Sequence, residues 1–257
     1  MNRLMIVILL LCLQGMASVA YAGNLKAEPA AGTVWTEPKT GMAFVWVPSG
    51  CFQMGGTDWS YQVPVHQVCV HGFWMGKYEV TQAQYLQVAG ANPSQSVGAA
   101  SPVDSVSWDD AEHFTQRMSA ISGAKVRLPS EAEWEYACRA GHAHGKYCGN
   151  GDNPNLLGWY NANSTNRTRP VGKLAANDWG LYDMSGNVWE WVQDCWHENF
   201  KGAPADGSVW QGGECPKRVL RGGSWCNDAT YARADFRYGN DPDGGECSGF
   251  RVARSAH

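Results

Sequence analysis

Past residue 22 the chain carries eight cysteines, Cys51, Cys69, Cys138, Cys148, Cys195, Cys215, Cys226 and Cys247, and this even set constrains the fold more than any other feature. It follows a segment built for export: Arg3 precedes an apolar run, and Ala20-Tyr21-Ala22 supplies a small-x-small cleavage pattern. Residues 1–22 are therefore expected to be a signal peptide, too short and too early for a membrane span, leaving a periplasmic or secreted protein with no span after cleavage. An oxidising compartment turns an even cysteine count into disulfides. Short separations suggest the pairs Cys51–Cys69, Cys138–Cys148, Cys195–Cys215 and Cys226–Cys247, although eight cysteines allow on the order of a hundred pairings. No Cys-x-x-Cys or clustered histidines supports zinc instead.

The remaining stretch of about 235 residues suits one large domain, and no linker or repeat divides it, so 23–257 reads as one unit. A formal charge of −4 with scattered Lys and Arg offers nothing to nucleic acid. Thirteen tryptophans and thirty glycines point to short strands and turns around aromatic anchors. Three helices are expected. One begins at the capping box Thr81-x-x-Gln84. A second begins at Ser107, with Asp109 and Asp110 in its first turn and Ala111, Phe114, Met118 and Ile121 on one face. The third begins at the capping box Ser130-x-x-Glu133, with Trp134, Ala137 and Cys138 inward. Everything after Cys148 reads as loops and short strands, with tight turns at Gly212-Gly213 and Gly222-Gly223. The fold class is α+β.

A series of motifs is spread along this frame. In order they are Gly50-Cys51-Phe52-Gln53-Met54-Gly55, Lys77-Tyr78-Glu79-Val80-Thr81, Pro102-Val103 with Val106-Ser107-Trp108, and Arg127 to Glu135 (RLPSEAEWE). Gly180 to Met184 (GLYDM) and Gly186 to Trp191 (GNVWEW) follow, then Arg221-Gly222-Gly223-Ser224-Trp225 and Gly249-Phe250-Arg251. In order and approximate spacing this series resembles the formylglycine-generating enzyme (sulfatase-modifying factor) family, from about residue 40 to the C-terminus. The resemblance implies a variant of the C-type-lectin fold with little regular structure. Its function is a separate question. The superfamily includes copper-dependent oxidases that convert a sulfatase cysteine to formylglycine, a periplasmic factor in siderophore chromophore maturation, and domains fused to an iron-dependent sulfoxide synthase. It also includes ligand-binding proteins with a diversified C-terminal segment. The seven histidines form no His-x-x-x-His pattern of the iron enzymes.

In the oxidases two cysteines between the Arg-Gly-Gly-Ser turn and the Gly-Phe-Arg strand hold Cu(I). The matching positions here are Asn227 and Ala232, so copper is not expected. Cys226 lies one residue away, and a staple to Cys247, closing a loop of roughly 20 residues, is the favoured reading. Ser224 and Trp189 match two further positions of the oxidase site; with Cys226 they are the catalytic candidates, weighed against a turn-bonding serine and a core tryptophan.

The segment Asp183 to Glu190 resembles the family's calcium loop. Asp183 and Glu190 would supply carboxylates and Gly186 and Val188 backbone carbonyls; the alternative is a turn cap at Asp183 and an ion pair from Glu190 to an arginine such as Arg221. For a second family site near Asn155 and Leu156, no carboxylate can be placed in the short loop 158–168. Between the end motifs, Tyr231, Arg233, Phe236, Arg237, Tyr238 and Asn240 have the composition of a recognition loop and are the ligand-binding candidates. The expectation is an exported, disulfide-stapled, calcium-stabilised protein without the copper thiol pair. Through the groove around Trp189, Ser224 and residues 226–248 it would bind, or assist the maturation of, a periplasmic protein or small-molecule partner. Two alternatives stay open: an oxidoreductase converting a sulfatase cysteine with Cys226, and a periplasmic enzyme or ligand-binding protein of the siderophore-maturation or diversified-loop kind.

Overall fold

All three helices begin where the capping residues place them. Thr81, Ser107 and Ser130 each accept a hydrogen bond from the third helical N–H, and the Gln84, Asp110 and Glu133 side chains accept one from the cap's own N–H. These reciprocal bonds satisfy donors that a helix start otherwise leaves unpaired. The helices stop on left-handed residues, Gly90, Gly123 and, less usually for a side chain, Ala140 (φ 47°).

The computed structural model describes residues 27–143, 145–149, 151–212 and 214–256. The expected signal peptide, 1–22, and Gly213 of the Gly212-Gly213 turn lie outside the described residues. In chain order the elements are β1 (Val34–Thr36), β2 (Ala43–Val47), β3 (Gly50–Met54), β4 (His66–Val70), β5 (Phe73–Gly76), α1 (Gln82–Ala89), α2 (Trp108–Ser122), β6 (Val126–Arg127) and α3 (Glu131–Arg139). There follow α4 (Pro154–Leu157), α5 (Asn161–Ser164), β7 (Trp189–Cys195), β8 (Arg218–Arg221), β9 (Arg237–Asn240), β10 (Ser248–Gly249) and β11 (Ala253–Ser255). A five-stranded sheet runs β1-β2-β5-β11-β6, a four-stranded sheet runs β10-β7-β8-β9, and β3-β4 is a separate hairpin. The architecture is α+β, with short strands and little regular structure. The single-turn helices α4 and α5 correct the reading of the region after Cys148 as loops and strands alone; one turn is too short for apolar periodicity to register.

Helix α3 sits between the β3-β4 hairpin and the β7-β8 pair. It is not amphipathic as expected: every residue from Glu131 to Cys138 is buried. Charge pairing makes that tolerable, because a buried carboxylate survives only with compensating cations and hydrogen bonds. Arg237 forms a two-bond fork with Glu131, at 2.7 Å each. Arg221 reaches Glu131 at 3.2 Å and Glu135 at 2.7 Å, and Arg139 holds Glu135 at 2.7 Å. Burial opposes ionisation of Glu135, but Arg139 and Arg221 outweigh it and hold its carboxyl below the ordinary range.

The four disulfides join the pairs the separations suggested, Cys51–Cys69, Cys138–Cys148, Cys195–Cys215 and Cys226–Cys247. They are compatible with an exported protein. No helix among the described residues is long and apolar enough to cross a membrane.

Candidate functional site

The turn after β8 can only be made by glycine. Gly222 and Gly223 have φ of 92° and 70°, and a Cβ on Gly223 would stand 2.8 Å from the backbone of Tyr231 and Ala232. This close approach folds residues 224–232 back over the start of β7. There Ser224 Oγ donates to Asn227 Oδ1 at 2.6 Å and lies 3.1 Å from Cys226 Sγ. Trp189 Nε1 donates to the same Asn227 oxygen at 2.8 Å. Two of the three candidate catalytic groups, Ser224 and Trp189, are thus buried and tied to the amide at the first of the two positions matched to the oxidase thiols. The second matching position, Ala232, is buried against Tyr147 and Leu157. Cys226 is bonded to Cys247, whose carbonyl accepts from Trp189 N at 2.9 Å because β10 runs parallel beside β7.

Around Trp189 lie Tyr238, Phe236 and Tyr231, with ring centroids at 5.7, 6.1 and 6.2 Å, and Phe236 continues into Trp59 and Tyr61. Tyr238 is exposed and Tyr231 partly so. Arg233 lies over the Trp59 ring and pairs with Asp58 at 2.7 Å and Asp235 at 3.0 Å.

Arg237 is not available as a ligand-binding residue. Strand alternation in β9 turns Tyr238 outward and Arg237 inward, where its guanidinium serves Glu131 and the carbonyls of Tyr61 and His197. Phe236 lies beneath the surface aromatics rather than among them, and Asn240 Nδ2 donates within its own loop to the Gly244 carbonyl.

At the same end of β7, in the loop that leads into the strand, three carboxylates approach one another. Asp183 (φ 57°) and Asn187 (φ 71°) are left-handed, and a Cβ on Gly186 would meet the Trp159 carbonyl at 2.3 Å, so this loop is wound tightly. Glu190 pairs with Arg251 by two bonds of 2.7 and 2.6 Å and accepts from Trp134 Nε1 at 2.7 Å. Its partner is thus Arg251 and not Arg221: the Trp134 ring stands between, with the Arg221 guanidinium 5.1 Å from its centre. Glu79, unmarked by the sequence reading although it lies in the Lys-Tyr-Glu-Val-Thr motif, accepts from Val188 N at 2.9 Å and Asn187 Nδ2 at 2.7 Å.

One arginine therefore faces Glu79, Asp183 and Glu190. Burial, with Asp183 and Glu190 adding, pushes Glu79 well above the usual carboxylate range. Burial likewise pushes Asp183 up to about 6, against the pull of the Gly172 N–H and Arg251. Asp183 Oδ1 is buried without a partner among the described residues.

This excess of negative charge with an orphaned oxygen fits a hard cation. Among the described residues no three His, Cys, Asp or Glu side chains converge as a side-chain metal centre, so backbone carbonyls would complete such a shell. At the position of the second family site each oxygen accepts one hydrogen bond. Asn155 Oδ1 accepts from Tyr160 Oη at 2.7 Å, and the Leu156 carbonyl accepts from Ala175 N at 2.8 Å.

Residues 30–256 match the model of the sulfatase-modifying factor enzyme 1-like domain. The chain belongs to this formylglycine-generating enzyme family. Chaperone protein LppX of Paenibacillus barcinonensis is 29% identical over 99% of this chain and 100% of its own length. The formylglycine-generating enzyme of Bos taurus is 28% identical over 93% of this chain and 82% of its own. The structure of PvdO from Pseudomonas aeruginosa superposes with a TM-score of 0.80 and 32% identity, covering 88% of this chain and 99% of that one.

Proposed function

We propose that this family member works without copper, in the periplasm or outside the cell, by holding an exported protein or small molecule in the groove over Trp189 and the 226–248 loop and assisting its maturation. The observation that carries this reading is the fate of the two copper-thiol positions. Asn227 is locked by Ser224 and Trp189, Ala232 is buried, and the neighbouring Cys226 is engaged with Cys247. What remains is a surface of Tyr238, Tyr231 and Arg233 over an aromatic floor, suited to contact at low entropy cost. The name chaperone carried by a relative matched over its whole length favours assistance to a partner over oxidation of one.

The segment Asp183 to Glu190 would hold a calcium ion through the Asp183 carboxylate, whose Oδ1 has no partner among the described residues, the Gly186 and Val188 carbonyls, and Glu190, which would have to yield part of its fork with Arg251 to the ion. Bound there, the ion supplies positive charge to a buried acidic cluster and fixes the start of β7, where Trp189 stands.

The test is a titration of the mature protein with Cu(I), with and without reductant, beside oxygen uptake in the presence of a cysteine-containing sulfatase peptide. The expected result is no two-sulfur copper complex and no peptide-dependent uptake; either one would overturn the reading. In cells, Tyr238→Ala is expected to fail to restore whatever product is lost when this chain is deleted.

A further inference from the structure

A pocket of about 320 Å³ opens on the face of the β3-β4 hairpin, lined by Phe52, Gln53, Gln67, Tyr136, Arg139 and His142 among others. It shares no residue with the groove. Its volume is at the lower end of small-molecule sites.

Three features give it chemistry. Arg139 is about nine-tenths buried, and its Nε and Nη2 are spent on Glu135 and the Gly55 carbonyl. Nη1 has no acceptor among the described residues. Gln53 and Gln67 sit directly opposite each other across the hairpin, exposed on the pocket rim. One wall is aromatic: Phe52 packs on Tyr136 at 5.3 Å, and Tyr136 on Trp179 at 5.1 Å. The Tyr136 hydroxyl comes so close to Gly50 that a Cβ there would stand 2.2 Å from it.

The sign of the pocket follows from the buried charge ladder behind it. Arg237, Glu131, Arg221, Glu135 and Arg139 alternate in sequence of contact, three cations to two anions. Asp194 is the acid beside the far end. It accepts from Glu131 N and Trp210 N, and burial, with Glu131 adding, pushes it up to about 7, so it offsets the excess only in part. Arg221 and Arg237 are sealed inside, which leaves Arg139 as the end open to a ligand.

Two contributions oppose an anion here, the carbonyl end of α3 and the nearby acids, and of these Glu28 keeps its charge. The last carbonyls of α3, on Ala137 and Cys138, accept from Asn177 Nδ2. Of the nearby acids, Asp178 is bonded to His142 Nε2 at 2.7 Å, and Glu28 is bonded to Ser49.

We propose that this pocket binds a small organic carboxylate with a planar apolar body, its carboxylate on Arg139 Nη1 and its body against Phe52 and Tyr136, with Gln67 at the rim. A guanidinium edge matches a carboxylate in shape as well as charge. The site does not depend on what the groove recognises.

Saturation-transfer NMR on the mature protein tests it with benzoate and its neutral isostere benzamide. Benzoate is expected to bind with a Kd of about 1 mM and benzamide at least about tenfold more weakly. Arg139→Gln is expected to abolish benzoate binding. Since Arg139 also neutralises Glu135, Gln67→Glu on the exposed strand gives a second probe, expected to weaken benzoate by about tenfold or more with an unchanged circular dichroism spectrum. Equal binding of benzoate and benzamide, wild-type affinity in Gln67→Glu, or no benzoate signal up to about 20 mM would each overturn the proposal.

Discussion

Arg221, Arg237 and Arg251 are all but inaccessible to solvent, and each is committed to a glutamate. Removing one partner of such a pair costs roughly 3–5 kcal/mol, since the other charge is then left buried and alone. Asp194 differs: no arginine bonds it, and two backbone N–H groups hold it instead. Its folded-state pKa, pushed up to about 7 by burial and by Glu131, exceeds the unfolded value of about 3.9. The folded chain therefore binds more protons than the unfolded chain between these limits. The stability contributed by Asp194 is complete at low pH and is lost as pH rises toward about 7, by roughly 4 kcal/mol across that window. A ¹³C titration of the Asp194 carboxyl should show a midpoint near 7, and a midpoint below about 5 would contradict this. The sequence indicates which side chains could carry charge but not their partners. Glu190 faces Arg221 across the β7-β8 ladder, yet it pairs with Arg251, 61 residues away, because Trp134 intervenes. Pairing at that separation leaves no local signature.

At the scale of the element, what was legible is what is local. The capping boxes at Thr81 and Ser130, the helix start at Ser107, the Gly222-Gly223 turn and the disulfides across short loops each depend on residues within about 20 positions, and all appear as expected; the reciprocal Ser107–Asp110 box is an addition of the structure. What was missed depends on assembly: α4 and α5 are too short to announce themselves, and α3 is buried on every side only because arginines from β8 and β9 close over it. For the site, the positions of Asn227 and Ala232 could be read from motif spacing. The inward turn of Arg237 could not, since it requires knowing that Arg237 begins a strand. The cap of α3 can be tested directly. Ser130 Oγ accepts from Glu133 N at 3.1 Å and donates to the Gly207 carbonyl at 2.7 Å, so it fastens the 196–217 region as well as the helix. Ser130→Ala should lower unfolding free energy by about 2 kcal/mol in a denaturant titration, from the lost cap and the stranded carbonyl together.

For the molecule as a whole, sparse regular structure is offset by four covalent links and by buried charge, and the acidic cluster of Glu79, Asp183 and Glu190 is where that arrangement is least balanced. If calcium neutralises it, saturation at about a hundred times Kd contributes about 2.7 kcal/mol, several degrees of melting temperature for a domain of this size. Scanning calorimetry should show that decrease on chelation and its reversal by calcium, with Asp183→Ala insensitive to both. A melting temperature indifferent to chelator in the parent protein would remove calcium from the account. The order of the larger sheet has its own consequence. Because β11 (Ala253–Ser255) lies between β5 and β6, the facing edges of both strands stay unsatisfied until that short strand docks, and a partly folded chain is most exposed to proteases and to self-association before it does.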